Sequence, residues 1–488
     1  MIENLQLIIP ELSIALGAML VLMLGVFVQA KDSILISTRI SAIVLLGALL
    51  TVLIMPHETK ILFNGLYRFD NYGLFVKTFL IFSAAIVLIL SFSFIEDKAN
   101  KLSFEYPVLI LTSLLGMLIM VSANDLLTLY LGLELQSLSL YILAGSKRED
   151  RRATEAAIKY FVLGALASGI LLYGISLIYG YLGSTNFTNI AAVVQGTTEL
   201  SKGAIVGLVL VITGLAFKVS AAPFHMWTPD VYEGVPTPVT AYFAIVPKLA
   251  AISLFIRLLI GGPFAPFGLQ WQQVVIAISV ISMVVGAFGA IWQSNIKRLL
   301  AYSSIGHVGY ALLGIVANTI YGVQSVLAYM VIYILSSIAI FAYLLALKTR
   351  SGGENNLIEK IDDFKGLAVR HPIVALVISF LMISMIGLPF PPFPGFWAKF
   401  FVFSAVMDQK FYVLAVVGIL TSVVAAYYYL RIIKVMYFDK PLDETRLTLK
   451  LDFTSSFIIT ICILLSLLIF ISPSLLMDAC YSAISGLF

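Results

Sequence analysis

Long apolar runs, each about as long as a bilayer is thick, follow one another along the whole chain with short polar joints between them. They cover residues 7–28, 35–55, 72–95, 104–122, 125–145, 155–180, 203–228, 237–258, 271–293, 299–317, 321–348, 373–405, 409–436 and 453–478. A membrane helix needs about 20 such residues, so the pattern predicts an all-α polytopic membrane protein of about 14 transmembrane helices. The join at Asn124–Asp125 leaves room only for a hairpin between the fourth and fifth helices. The first run has Glu3 ahead of it and Glu11 near its start, with no basic stretch ahead and no Ala-x-Ala site, and reads as a retained span.

Composition agrees and excludes other classes. Of 488 residues 60% are apolar and 11% charged, with a mean hydropathy of +1.02, against about 45–50% and 25% in soluble proteins. Cys462 and Cys480 are the only cysteines, which rules out a disulfide scaffold, and neither sits in a metal-binding spacing. A net charge of +4 is too small and too scattered for nucleic acid. No P-loop, GxGxxG, HExxH or GxSxG motif occurs, nor a cysteine set for iron–sulfur clusters. Segments such as 181–202 and 349–372 are too short for a catalytic domain, so any redox chemistry belongs to other chains.

Basic residues set the orientation. Odd-numbered loops hold 21 of them: Lys31, Arg39, Lys98, Lys101, Lys147, Arg148, Arg151, Arg152, Lys159, Lys297, Arg298, Lys348, Arg350, Lys360, Lys365, Arg370, Arg431, Lys434, Lys440, Arg446 and Lys450. Even loops hold five: Lys60, Arg68, Lys202, Arg257 and Lys410. The odd loops are therefore expected in the cytoplasm and both termini on the outer side. Chain length and basic cytoplasmic loops favour a bacterial inner membrane.

Four of the 30 basic residues are left over from the loops. Lys77 is near the outer end of its helix, where snorkelling to the interface is expected. Lys218, Lys248 and Lys399 lie deeper, and Glu134 is central to its helix. Each such charge costs about 2.5–3.5 kcal/mol, so the four cost roughly 10–14 kcal/mol if unpaired. Buried ion pairs that merely tie helices together are one explanation. The other is a proton route, favoured because the set holds only groups that can release a proton and no Arg. His307, also central, fits the same route; alone it would read as a neutral imidazole satisfied by Ser303 or Tyr310. His225 is a possible relay group or an interfacial histidine, and His57 and His371 receive no role.

Two charged helices are interrupted. Lys218 precedes Pro223 by five residues, and the twelfth run contains GLPFPPFPG, with Pro389, Pro391, Pro392 and Pro394, which cannot be continuous helix. Unwound backbone at membrane depth needs cover from protein or a water cavity, and interrupted spans in corresponding places of two halves point to a transport site. Spans 4–8 (104–258) and 9–13 (271–436) form two sets of five in opposite orientation, flanked by 1–103 and 437–488. In this reading Glu134 corresponds to His307 and Lys218 to Lys399, with Lys248 connecting two half-channels.

The segments SANDLLTLYLGLELQSLSLYIL, GLAFKVSAAPFHMWTPDVYEGVPTPVTAYFAIVPKLAA and NIKRLLAYSSIGHVGYALLG resemble the antiporter-like proton-pumping subunits of respiratory complex I, over about residues 70 to 440. The TPVTAYFAIVPK stretch is nearest to the N-type branch of that family; L- and M-type members and Mrp-type antiporters read more like PTPVSALIHAATMV. The chain also stops soon after its last span, without the long lateral helix of the L type. The resemblance implies fourteen helices in two inverted five-helix repeats, with broken helices 7 and 12. By motif it gives Glu134 a modulating role, Lys218 as its partner, Lys248 as the connecting lysine and Lys399 as the lysine of the outward half-channel. GLPFPPFPGFWAK departs from the family's approximate GIPPxAGFxxK by additional residues and prolines.

The implied partners are the lipid bilayer and the other membrane-arm subunits. The implied complex uses NADH, FMN, iron–sulfur clusters and quinone, none bound by this chain, with quinone reached only through the complex. The expected mechanism runs from quinone reduction elsewhere, through opening of a Glu134–Lys218 pair, to proton transfer from Lys218 by way of Lys248 and His307 to Lys399. A cation/proton antiporter or membrane-bound hydrogenase subunit is the near alternative, and a stand-alone secondary transporter the remote one.

Overall fold

A computed structural model describes residues 5–28, 30–96, 102–147, 149–196, 200–351, 354–440 and 447–487. Of the residues used above, Glu3, Lys98, Lys101, Arg148 and Arg446 lie outside this set, as do the side chains of Lys31 and Arg350. The helices used below are α1 (Ile9–Phe27), α2 (Ala30–Ile54), α3 (Asn71–Leu90), α4 (Glu105–Val121), α5 (Leu126–Ala144), α6 (Arg151–Leu182), α7a (Lys202–Val219), α7b (Trp227–Gly234), α8 (Thr237–Leu259), α9 (Gly268–Ile291), α10 (Ile296–Val316), α11 (Ile320–Ala346), α12a (Pro372–Ile386), α12b (Gly395–Asp408), α13 (Tyr412–Tyr437) and α14 (Phe453–Ile471), with shorter helices at Phe92–Ile95, Phe187–Gln195, Leu367–Arg370 and Pro473–Ile484. Among the described residues twelve helices are long and apolar enough to cross a membrane, and α4 and α12a are shorter apolar helices beside them. Short antiparallel strands occupy the joints: Lys60–Leu62 pairs with Tyr67–Phe69, and Leu347–Ser351 lies between Glu354–Leu357 and Leu447–Leu449.

Helices apolar all round belong in the interior of a bundle. The apolar stretches of α8 and α11 are entirely buried, and that of α10 nearly so, whereas α1, α2, α13 and α14 expose most of theirs. Lys248 and His307 therefore stand on the most enclosed elements of the fold.

The same local construction occurs twice. Asp125 caps α5, accepting from the Leu127 and Thr128 N–H groups, and Asn295, 170 residues on, caps α10 in the same way through Lys297 and Arg298. Leu126 N–H donates to the Thr185 carbonyl after α6 (2.9 Å), and Ile296 N–H to the Glu359 carbonyl after α11 (2.8 Å). The return bonds, Phe187 N–H to Asn124 and Ile361 N–H to Ser294, are both 2.9 Å. The helix crossings match as well. A Cβ on Gly116 would meet the Gly132 carbonyl of α5, and one on Gly286 would meet the backbone of Gly306 on α10, so α4/α5 and α9/α10 cross at glycine.

This register shifts the correspondence read from the sequence. With the caps 170 residues apart, Ser137 falls opposite His307 and Glu134 opposite Ser304, one helical turn from the Glu134–His307 match, which spans 173. Loop-length bookkeeping could not resolve one turn; the capping residues can.

Lys77 does not snorkel. It is buried, 2.6 Å from Glu11 of α1, and the Tyr67 hydroxyl bonds both partners at 2.7 Å. Burial in the bundle interior removes the water a snorkelling ammonium needs, and a carboxylate replaces it. Arg257, assigned to a loop by its place at a span end, is likewise buried and bidentate on Asp70 at 2.7 and 2.8 Å, with Arg68 Nε at 2.9 Å.

Candidate functional site

α7a ends at Val219, and Ser220 follows in the left-handed region (φ 66°). The chain reforms as α7b only at Trp227, and the freed N–H of Ala222 donates to Ser282 Oγ of α9 at 2.8 Å. Lys218 thus occupies the last turn of a helix that stops inside the bundle, where its ammonium lies near the negative end of the dipole. Its Nζ donates to Ser137 Oγ (2.7 Å), the Tyr141 hydroxyl and Ser168 Oγ (each 3.3 Å). It makes no ion pair with Glu134. Glu134 lies one turn before Ser137 on α5, among the exposed Leu131, Leu138 and Ile142, and its buried Oε1 has no hydrogen-bond partner.

Lys248, next to Pro247 inside α8, donates to Ser304 Oγ of α10 at 2.5 Å and lies 5.7 Å from the Tyr232 ring centre. One turn along α10, His307 is held by two hydroxyls, Tyr329 on Nδ1 (2.6 Å) and Tyr429 on Nε2 (3.0 Å).

The second break runs from Gly387 to Pro394. α12a closes on Gly387 at φ 78°, a conformation that favours glycine. Four residues into α12b, Lys399 turns back and donates to the Ile386 carbonyl left free by that ending (2.7 Å) and to Ser422 Oγ (2.6 Å). Its ammonium lies 4.4 Å from the Tyr310 ring centre. Lys218 precedes its break and Lys399 follows its own, so the two lysines are not equivalent in place. Pro394 is buried, but Pro389, Pro391 and Pro392 are exposed on this chain. The chain's own helices do not cover the loop as the sequence reading expected.

A small cavity of about 20 Å³ lies between Lys399, His307, Tyr329, Tyr333 and Ser384, room for about one water molecule. A wider cavity of about 460 Å³ opens at the Asn295 end of α10, lined by Lys147, Asp150, Glu233, Val235, Lys297 and Asp363. There Lys297 is buried and donates to the Val235 carbonyl at 2.8 Å. Burial raises the Asp150 carboxyl, and the Arg152 N–H and Lys147 outweigh it, holding it below the ordinary carboxylate value.

Lys248, His307 and Lys399 are brought together along α10 and its neighbours. Lys218 forms a separate cluster with α5 and α6, beside the aromatic side chains Tyr141, Tyr160 and Trp227, which pack on one another in that order. His225 joins neither; it is half-buried beside the exposed Pro223 and Met226, with Nδ1 unpartnered. Sequence reasoning missed the serines and tyrosines that solvate the relay groups, and Lys297. Ser and Tyr are too common in membrane helices to stand out. Lys297 is buried because the end of α7b folds over it.

Buried cations here fall into two kinds. Lys77 and Arg257 touch carboxylates. Lys218, Lys248 and Lys399 are equally buried, yet among the described residues each is hydrogen-bonded only to hydroxyls or a carbonyl.

A many-helix membrane chain with buried lysines free of carboxylates, two of them beside helix breaks, has the architecture of a proton-translocating antiporter-like protein. Residues 123–425 match the family described as NADH:quinone oxidoreductase/Mrp antiporter, transmembrane, and the chain belongs to that family. It is 46% identical to the NADH-quinone oxidoreductase subunit N of Rhodospirillum rubrum, over 98% of this chain and 96% of the relative. With the subunit N of Paramagnetospirillum magneticum the identity is 48%, over 91% and 90%. Among solved structures it resembles a chain of respiratory complex I from Thermus thermophilus with bound aureothin. The TM-score is 0.80 at 29% identity, covering 97% of this chain and all of that one.

Proposed function

We propose that this chain is the N-type subunit of the membrane arm of a proton-translocating NADH:quinone oxidoreductase. It couples quinone reduction to proton transfer across the membrane, and the other membrane-arm subunits are its partners. It is an integral membrane protein and carries no redox step. NADH, FMN, iron–sulfur clusters and quinone belong to the complex. Full-length likeness to subunits of that name supports this. A bacterial inner membrane with both termini outside is the placement favoured by the loop charges.

The observation that carries a relay role is that, among the described residues, no carboxylate bonds Lys218, Lys248 or Lys399, whereas the buried Lys77 and Arg257 are paired with carboxylates. A paired buried ammonium is held charged. One bonded only to neutral groups exchanges its proton at far lower cost. The proton passes along Lys218, Lys248, His307 and Lys399, with Glu134 acting on Lys218 through space across one helical turn. The two five-helix sets, 104–258 and 271–436, are inverted repeats in a fourteen-helix chain, flanked by 1–103 and 437–488; the matched caps and glycine crossings support this. His225 is not part of the route.

The test is Lys218→Ala in the intact complex, following NADH-driven proton uptake into inverted membrane vesicles beside NADH oxidation by an artificial acceptor. Proton uptake should fall at least tenfold with the acceptor rate unchanged. Normal uptake would overturn the relay assignment.

A further inference from the structure

His307 is bonded at both ring nitrogens, and both bonds go to phenols. Tyr329 of α11 lies 2.6 Å from Nδ1, Tyr429 of α13 lies 3.0 Å from Nε2, and Tyr429 is 2.5 Å from Ser303 Oγ of α10. All four side chains are buried. A neutral imidazole has one donor and one acceptor nitrogen, so at any moment one phenol donates to it and the other accepts from it. Such a ring passes a proton by gaining it on one nitrogen and losing it from the other, without leaving an imidazolium in the bilayer interior, where a charge is costly.

The two phenols lead from His307 to different neighbours. Arg431, two residues beyond Tyr429, donates to the Ile291 and Gln293 carbonyls at the α9–α10 joint, which places Tyr429 toward the capped start of α10. Tyr329, nine residues into α11, is level with His307, nine residues before the end of α10, and it lines the cavity that holds Lys399.

We infer that Ser303, Tyr429, His307 and Tyr329 form a hydroxyl–imidazole–hydroxyl wire that delivers a proton from the Ser303 side of α10, next to the Ser304 that holds Lys248, into the cavity shared with Lys399. The inference rests on the reading of the chain as a proton carrier. In one passage Tyr429 gives its hydroxyl proton to Nε2 while its oxygen takes one from the Ser303 side. Nδ1 gives its proton to the Tyr329 oxygen, and the former Tyr329 proton passes to the neutral amine of Lys399, directly or through a water. Every oxygen and the ring end neutral, with donor and acceptor roles reversed. Rotation of the hydroxyls and a ring flip restore the start, so the wire carries one proton per reset.

The experiment uses inverted vesicles with the intact complex and compares Tyr329→Phe, Tyr429→Phe, Tyr242→Phe and Lys399→Ala. Tyr242 of α8 is a buried phenol bonded to Ser113 Oγ and the Ile110 carbonyl of α4, outside the route, so it controls for the loss of a buried hydroxyl. The wire predicts at least a tenfold loss of NADH-driven proton uptake in Tyr329→Phe and Tyr429→Phe, with artificial-acceptor oxidation unchanged and Tyr242→Phe within twofold of the parent. Normal uptake in both relay variants, or an equal loss in Tyr242→Phe, overturns it. If Lys399→Ala also pumps normally, the carrier reading itself fails; if Lys399→Ala alone loses uptake, only the wire does. Should a phenylalanine variant not accumulate, 3-fluorotyrosine at position 429 keeps the shape and acidifies the phenol. A shifted pH profile of proton uptake then supports the wire, and an unshifted one contradicts it.

Discussion

Lys218 reaches Ser137, one turn beyond Glu134 on the same helix, and leaves a buried oxygen of Glu134 without a partner. The carboxylate therefore acts on the ammonium through space and not as its ion-pair partner. Removing Ser137 should matter more than neutralising Glu134. A hydrogen bond to a charged group contributes about 1.5–3 kcal/mol, so Ser137→Ala should slow coupled proton uptake about tenfold, and Glu134→Gln by less than about threefold. Uptake rates in inverted vesicles compare them, and a larger loss in Glu134→Gln would restore the direct pair.

The Asp70–Arg257 pair is a different kind of buried charge. Its bidentate geometry, with Arg68 as a second cation, fastens α3 to the end of α8. Breaking one partner strands the other, at about 3–5 kcal/mol. Asp70→Asn should cut the amount of assembled complex in membranes, and the double variant Asp70→Asn/Arg257→Gln should recover part of it. Normal assembly with lost pumping in Asp70→Asn would place the pair in the relay.

Helix crossings offer a prediction with its own control. A methyl on Gly286 would strike the Gly306 backbone, with Gly306 Cα at 2.7 Å and the Tyr302 carbonyl at 2.8 Å, whereas a methyl on Gly306 meets nothing closer than 3.9 Å. Overpacking costs about 1–3 kcal/mol, so Gly286→Ala should lower the thermal stability of the solubilised complex and Gly306→Ala should not. Equal effects would contradict the crossing geometry.

Outside the spans, Asp230 joins α6 and α10 by bonding Lys159 (2.7 Å) and Arg298 (2.6 Å). Partial burial raises its carboxyl, but these two bonds prevail and hold it below the ordinary carboxylate value. A depressed carboxyl stabilises fully above its unfolded value of about 3.9, and that contribution is lost as pH falls through the folded value. The melting temperature of the solubilised complex should therefore drop below about pH 4 less steeply in Asp230→Asn than in the parent. Identical slopes would remove Asp230 from the acid response.

Much of this was legible in the sequence. Apolar runs located the helices, since α5, α8 and α10 appear within three residues of where hydropathy puts them. Proline and glycine placed both breaks, and the three deep lysines stood out as charges in apolar surroundings. What stayed hidden is tertiary. Glu11 and Lys77, or Asp70 and Arg257, are ordinary helix-end charges until the bundle brings them together across 66 and 187 residues. The one-turn offset between Glu134 and His307 needed the caps Asp125 and Asn295, and the phenols around His307 come from helices that apolarity alone had described.

The central claim is that the unpaired lysines work by releasing protons, not by being charged. Arg keeps the charge and does not release its proton, so Lys399→Arg in the intact complex separates the two directly. With complex content and artificial-acceptor oxidation unchanged, the account predicts that NADH-driven proton uptake falls at least tenfold, as in Lys399→Ala. Uptake preserved in Lys399→Arg would show that a fixed charge suffices there, and would contradict the relay.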